Sequence, residues 1–449
     1  MSATQFSYTS ETLRQLAADV LRHASELGAT ACETDVSEAH GQSVTVRKSE
    51  VETIEYNRDK GLGVTVYQGQ QRGHASSSDF SAAALRATVE AAIDIARFTA
   101  PDPAAGLPEE AMLAKSGVGA TGLDLYHPWD LPVEEAIDIA RRCEQAAFAV
   151  SPLVKNSEGA SVSVQHSQFI SANSLGFMDG FNTSRHYISC AVIAGENDAM
   201  QRDDWYSSKR SAADLAAPEA IGDYAARRAL SRLGARKLAT RRVPVLFEAP
   251  LAAALIGHFV HAASGGALYR KTSFLVDSLG KAIFPRHLRI SERPHLARAF
   301  ASSHFDEEGV ATRDREVVED GVLSGYFLST YTARKLGMQT TGNAGGCHNL
   351  IVHPGDLDFR GLLAKMGTGL LVTELLGQGV NYLTGDYSRG AAGYWVEGGQ
   401  IRYPVEEITI AGKLQDMFAG IVAVGNDVLV RGSKQVGSIL LEQMTVAGN

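Results

Sequence analysis

The sequence predicts an α+β protein, and three observations lead to this class. Helix-length segments with apolar residues three and four apart occur in the first half. Between them lie short runs that alternate apolar and polar residues and are separated by turn residues, which is typical of antiparallel hairpins. In the second half, short strand-like runs and glycine-rich turns surround one strongly apolar helix. We therefore expect an N-terminal α/β region over 1–240 and a mostly β, barrel-like domain around a central helix over 241–449.

The N-terminal region is predicted to contain two copies of one arrangement, a helix followed by an antiparallel meander and a second helix. The copies cover 1–100 and 130–240. In the first copy, Thr9 or Ser10 caps a helix that Gly28 ends, because polar N-caps and C-terminal glycines delimit helices. The other predicted helices cover about 81–98, 132–149 and 218–233. Strand-like runs are predicted at 32–36, 43–48, 51–56, 61–67, 71–76, 160–165, 168–173, 176–183 and 184–193, with turns at 57–61 and 68–70. The recurrence suggests an internal duplication.

In the C-terminal half, a strand over 243–248 is predicted to feed the apolar helix, from Leu251 to about Ala263. Further strands are predicted at 321–329, 393–396, 406–412 and 436–446, and further helices at 357–366 and 411–422.

Composition excludes several classes of protein. The net charge of −9 argues against a nucleic-acid-binding surface. No apolar run approaches the length that spans a bilayer, and the first residues lack the pattern of a secretory signal. The cysteines lie far apart without a C-x-x-C pair, which favours a reducing compartment over a disulfide framework or structural zinc. We expect a cytoplasmic protein that contacts neither nucleic acid nor membrane.

The most informative segment is 255–274, LIGHFVHAASGGALYRKTSF. It resembles the active-site helix of the TldD/PmbA (TldE) metallopeptidase family, in which the metal-binding members carry His-Glu-x-x-x-His before a Gly-rich turn and an Arg-Lys pair. Counting back from Arg270 and Lys271 places the two ligand positions at Gly257 and Ala262, and the glutamate position at His258.

Glycine and alanine have no metal-binding side chain, whereas a catalytic zinc needs about three protein ligands. His258 and His261 share a helix face, but they leave a third ligand and a general base unaccounted for. The metal-binding members also supply a cysteine near the C-terminus, and 422–446 contains none. We therefore expect neither a metal nor a catalytic residue on this helix.

The resemblance covers nearly the whole chain and is closer to the TldE side of the family. The segments that carry it are 264–266, 268–271, 305–310, 331–337, 341–346, 367–370 and 384–390. The candidate residues for a substrate cleft or a subunit interface are His258, His261, Arg270, Lys271, Asn343, His348, Asp386 and Arg389.

Each candidate has an alternative structural role. The segment 343–346 is either an anion-binding nest of backbone N–H groups or a tight turn, and His348 beside Cys347 is either half of a nucleophile pair or part of a turn. Arg389 either pairs with Asp386 across a turn or binds a peptide carboxylate or carbonyl. The Arg-Lys pair either binds peptide or forms salt bridges at a subunit contact.

The resemblance implies a non-metal-binding subunit that pairs with a TldD-like chain, which supplies zinc and the glutamate base. It implies unfolded peptide substrates, including leader peptides such as that of a microcin, and antitoxins. Without its partner, the chain is expected to be a homodimer or poorly soluble. Two alternatives remain open: a non-catalytic adaptor that presents peptides or modulates gyrase-related toxins, and an autonomous metal-dependent hydrolase. The hydrolase would combine His258 and His261 with a ligand from His304, His348 or His353.

Overall fold

The computed structural model describes residues 6–448. It divides into two compact units, one comprising residues up to 231 together with 297–299 and 303–312, and the other the remaining residues. The boundary expected at 240/241 and the internal duplication stay predictions.

An antiparallel sheet forms the centre of the first unit. Its strands are β1 (Ala31–Arg47), β2 (Glu50–Gln68), β3 (Gln71–Ser77), β4 (Val154–Asn173), β5 (Met178–Asp179), β6 (Asn182–Ala194) and β7 (Gln201–Lys209). They pair in the order β3-β2-β1-β4-β6-β7, with β5 added to β4. Helices α1 (Ser10–Glu26), α2 (Ala82–Phe98), α3 (Val133–Ala149) and α4 (Pro218–Ser231) pack on it. Short 3-10 turns occur at Glu110–Met112, Asn197–Ala199 and Ala212–Asp214.

Side chains on β1 alternate between the covered and uncovered faces, as the two-residue repeat of a strand requires. Cys32, Val36, Val44 and Val46 are buried on the covered face. Of the two N-cap residues expected for α1, Thr9 is the cap, and its hydroxyl accepts a hydrogen bond from the Thr12 N–H.

The turn predicted at 57–61 is wrong, because this segment continues β2. Asn57 pairs with Gly41 and Gly61 pairs with Ser37, so the predicted short strands merge into two long ones. At Gly41 a Cβ atom would lie 2.5 Å from the Val164 carbonyl oxygen, and only glycine permits this approach. The ladders on both sides of β1 satisfy its backbone groups and override the turn preference of the 57–61 sequence.

The second unit contains two sheets. The first has the order β15-β14-β13-β8-β19-β16, and an additional β15–β19 pairing closes it into a barrel-like ring. The second has the order β11-β10-β9-β12-β18-β17. The strands are β8 (Arg241–Phe247), β9 (Ile290–Glu292), β10 (Arg315–Glu319), β11 (Val322–Leu323), β12 (Leu350–Val352), β13 (Gly369–Leu376), β14 (Asp386–Glu397), β15 (Gln400–Lys413), β16 (Ile421–Val424), β17 (Leu429–Arg431), β18 (Lys434–Val436) and β19 (Ile439–Ala447).

The central helix of this unit is α5 (Ala249–Ala262), and Pro250 fits its first turn. Phe259 is fully buried, with its ring 5.3 Å from that of Phe284 and 6.3 Å from that of Phe418. The other helices are α6 (Gly265–Tyr269), α7 (Thr330–Leu336), α8 (Phe359–Met366) and α9 (Leu414–Ala419). The predicted α+β class, with a barrel-like C-terminal part around one helix, is confirmed.

Two element predictions in this unit are wrong in extent. The helix predicted at 411–422 is only α9, because Ala411 pairs with Ser388 and Thr445 in the barrel and the chain re-enters the sheet as β16. The strand predicted at 321–329 is only β11. Within residues 6–448, no helix is long and apolar enough to cross a membrane.

Candidate functional site

Helix α5 and the loop before β14 form the candidate site. The buried face of α5 carries Leu255 and Phe259, which leaves His258 and His261 on the side towards the loop. The loop is held against β14 because the Ser388 N–H donates to the Gly379 carbonyl at 2.7 Å. This arrangement places Tyr382 over the helix.

Tyr382 connects the two histidines of α5. Its hydroxyl lies 2.8 Å from His258 Nδ1, within hydrogen-bond distance. Its ring centroid lies 4.0 Å from that of His261, at an interplanar angle of 34°. The ring of Tyr387 approaches His258 from β14, at 5.8 Å. Both histidines are therefore engaged by aromatic side chains of their own chain.

The electrostatics of this cluster keep His258 neutral. Its pKa is lowered to about 4, first by burial and then by the charges of Arg389 and His261. Burial also raises the pKa of Tyr387 to about 12, against the opposing effect of Arg389. The Nε of Arg389 is buried and has no hydrogen-bond partner. The cluster thus offers a neutral imidazole beside a guanidinium with one free donor.

The residues at the two degenerate positions do not fit a metal. A Cβ atom on Gly257 would lie 3.8 Å from Cε and 4.0 Å from Nζ of Lys434, so an ammonium group lies next to this position. Ala262 is 0% exposed. The described part of the chain contains no group of three or more His, Cys, Asp or Glu residues that could hold a metal ion.

Asn343 and His348 belong to a buried polar network around Glu292. The Glu292 carboxylate accepts hydrogen bonds from Asn343 Nδ2 at 2.9 Å and from the His348 N–H at 2.7 Å, and it pairs with Arg315 at 2.6 Å. The turn at 343–346 thus helps to hold an anion that belongs to the chain itself. This geometry favours the structural interpretation of the turn.

A nucleophile pair of Cys347 with His348 has no support in the geometry. The ring nitrogens of His348 lie 3.1 Å from the Ala301 carbonyl and 2.9 Å from the Gly342 carbonyl. Burial raises the pKa of the Cys347 thiol, and Lys434 and Ser433 oppose this effect. A thiol that resists ionisation is a poor nucleophile.

Asp386 and Arg389 do not pair, because both lie on β14 rather than across a turn. Residues three apart on a strand point to opposite faces. Asp386 accepts a hydrogen bond from Thr384 and lies 4.0 Å from Lys413 Nζ. Arg389 instead faces the His258 cluster, which favours the substrate-side interpretation for this residue.

The remaining candidates lie apart from this cluster. The Arg270 guanidinium stacks 5.1 Å above the Tyr269 ring and donates to its hydroxyl, and both Arg270 and Lys271 are exposed. His353 Nε2 lies 2.6 Å from the Ser291 hydroxyl. His304 belongs to the other unit, where it lies 2.9 Å from the Thr121 carbonyl.

Sequence reasoning missed Tyr382 and Lys434. Neither residue belongs to a motif. Both lie more than a hundred residues from α5 in the sequence, and only the fold brings them to the helix. Tyr387 was within a segment that resembles the family, but its aromatic contact with His258 left no signal in the sequence.

Comparison with known proteins identifies the family of this chain. The chain matches models of PmbA/TldA metallopeptidase domain 1 over residues 32–96, the central domain over 126–233 and the C-terminal domain over 240–448. It is 50% identical to Metalloprotease PmbA of Escherichia coli O157:H7 over 416 residues, which are 93% of this chain and 92% of that protein.

Two solved structures share the fold. A protein of Bacteroides thetaiotaomicron, whose name refers to modulation of DNA gyrase, superposes with a TM-score of 0.92 at 27% identity, covering 98% of this chain and all of that one. TldE of Thermococcus kodakarensis superposes with a TM-score of 0.81 at 19% identity, covering 96% of this chain and all of that one. From the domain matches and the identity to its relatives, the chain belongs to the PmbA/TldD family of metallopeptidases.

Proposed function

We propose that this chain is the non-metal-binding subunit of a heterodimeric zinc metallopeptidase. A TldD-like partner supplies the zinc and the glutamate base, and this chain binds no cofactor of its own. The observation that carries the proposal is that Gly257, at the first ligand position, has no side chain and lies beside the Lys434 ammonium. The positive charge of Lys434 opposes the binding of a metal cation near this position, because like charges repel more strongly in a partly buried site than in water.

The assembly's substrates are unfolded peptides, such as the leaders of ribosomally made peptides and antitoxins. The His258 cluster lines the substrate side of this chain. Arg389 supports this role, because its buried Nε has no hydrogen-bond partner and a guanidinium is well suited to a carbonyl or carboxylate. Neutral His258 contributes hydrogen bonding without adding a charge that would repel the partner's metal.

The proposal also concerns assembly and location. An obligate partner commonly covers more than about 2,000 Å² of surface. In the absence of the TldD-like chain, this chain forms a homodimer in place of the heterodimer, and both assemblies are cytoplasmic. A stable monomer in gel filtration would contradict this part of the proposal.

The proposal is tested by reconstitution with a chain that carries His-Glu-x-x-x-His. Cleavage of an unstructured peptide is measured with the parent chain and with Arg389→Ala. Loss of the charged hydrogen bond is expected to raise KM about tenfold or more. This change corresponds to a loss of about 1.5–3 kcal/mol in the free energy of substrate binding. Arg402→Ala is the matched control, because Arg402 is exposed on β15 of the same unit.

Each outcome separates the proposal from its alternatives. Unchanged kinetics for Arg389→Ala would overturn the substrate-side role and favour an adaptor. About one tightly held zinc per chain, in protein purified without a partner, would overturn the non-metal-binding role and favour an autonomous hydrolase.

A further inference from the structure

A cavity of about 150 Å³ lies in the first unit, on the covered face of its sheet. Helices α1 and α3 both pack on the central strands β1 and β4, whereas α2 packs on β2 and β3 and α4 packs on β6 and β7. Between them, the segment that contains Trp129 and Leu131 covers the central strands, and the Leu131 carbonyl accepts a hydrogen bond from Gln42. His40 of β1 and His166 of β4 line the cavity. We call this space the imidazole cavity.

The two histidines are buried and leave hydrogen-bonding atoms unused. His40 is 3% exposed and His166 is 2% exposed. The Nε2 of His40 has no hydrogen-bond partner, and neither ring nitrogen of His166 makes a hydrogen bond of good geometry, although the backbone of Trp129 lies close to this ring. The rings are stacked, with centroids 4.9 Å apart, so one ligand group can reach both. Buried polar atoms nearly always have a partner, so unpartnered atoms that line a cavity make it a candidate binding site for a small polar group.

Charge around the imidazole cavity indicates the chemistry of that ligand. Arg58 lies at its exposed side, and none of the residues that line it is an aspartate or glutamate. The nearby Glu38 carboxylate accepts hydrogen bonds from the Ser7 and Tyr8 N–H groups and from Gln168, so it is satisfied within the chain. The charged side chain that lines this space is therefore that of Arg58, and its positive charge favours an anionic group on the ligand.

The size and the walls of the cavity limit the rest of the ligand. An apolar cavity of about 150 Å³ accommodates a molecule of the size of benzene. Tyr56, Trp129, Leu131 and Val164 supply aromatic and aliphatic walls. The described residues contain no metal-binding group of three or more His, Cys, Asp or Glu, which argues against a metal at the histidine pair.

We propose that the imidazole cavity binds a small aromatic carboxylate, whose carboxylate accepts hydrogen bonds from His40 and His166 beside Arg58. This site is distinct from the peptide-binding role proposed for α5, and it involves residues of the first unit alone.

The test is a calorimetric titration of the full chain with benzoate. We expect one benzoate molecule to bind per chain. Benzamide, which has the same shape without the charge, is expected to bind at least about tenfold more weakly than benzoate. Arg58→Met is expected to weaken benzoate binding about tenfold and to leave benzamide unchanged. Because Arg58 is exposed, this variant is expected to fold normally. His166→Phe, which retains an aromatic ring, is expected to abolish benzoate binding.

His74→Phe is the matched control, because His74 is exposed on β3 and does not line the cavity. The proposal is supported if His74→Phe leaves benzoate binding unchanged and both other variants reduce it. Absence of benzoate binding at millimolar concentration would overturn it, as would equal binding of benzamide or full binding by Arg58→Met. None of these outcomes depends on peptidase activity, so failure here leaves the proposed function untouched.

Discussion

Acidification is predicted to destabilise the first unit, because its buried imidazoles must take up protons. The pKa of His166 is lowered to about 4, first by burial and then by His40 and His186, against the opposing effect of the Trp129 carbonyl. An unfolded histidine titrates near 6.5. Between about pH 6.5 and 4 the unfolded state therefore binds more protons than the folded state, so stability is present above this window and is lost as the pH falls through it.

The magnitude follows from the difference between the two pKa values. A difference of about 2.5 units corresponds to about 3 kcal/mol in total, of which about 2 kcal/mol is lost between pH 7 and pH 5. The pKa values of His40 and His186 are also lowered, mainly by burial, and both add to the loss. The Trp129 ring lies 5.4 Å from His186, so its fluorescence reports on this region.

The assay is urea unfolding at pH 7 and pH 5, followed by the fluorescence of Trp129 after Trp205→Phe and Trp395→Phe. A single local probe is needed, since a chain of two units need not unfold in one step. His166→Phe is expected to reduce the pH-dependent loss by about 2 kcal/mol, whereas His74→Phe retains it. Equal stability at both pH values in the parent, or an undiminished loss in His166→Phe, would contradict this prediction.

Three further predictions concern α5. Gly257→His is expected not to create a zinc site, because the new imidazole meets Lys434 and lacks further ligands; stoichiometric zinc by elemental analysis would contradict this. Tyr382→Phe removes the hydrogen bond to His258 and is expected to cost about 1 kcal/mol in urea unfolding, so unchanged stability would show that the bond contributes nothing. Phe259→Ala is expected to cost about 3–5 kcal/mol through the cavity that it leaves, and a cost below about 1 kcal/mol would mean that the core closes around it.

Periodicity predicted most helices of the first unit to within a few residues, because their apolar faces pack on a sheet. Helix α2 was expected over 81–98 and is Ala82–Phe98. Strand lengths were predicted less well, since turn residues such as Asn57 and Gly61 usually interrupt a strand. Here β1 is paired on both sides, and the energy of the continuous ladder outweighs the local preference.

Sequence reasoning identified part of the candidate site. Gly257 and His258 were found because the segment around them resembles an active-site helix. Lys434 and Tyr382 were not found, because contacts between residues distant in the chain depend on the fold and leave no local pattern. Arg389 was placed in a turn, and only the observed strand explains why it faces away from Asp386.

The proposed function requires that this chain cannot form the catalytic metal site without another chain. Its most direct test is incubation of the pure chain with an unstructured peptide and added zinc, with and without a chelator, followed by mass spectrometry. We expect an intact peptide in both samples, and cleavage only after a chain with His-Glu-x-x-x-His is added. Chelator-sensitive cleavage by the pure chain alone would contradict it.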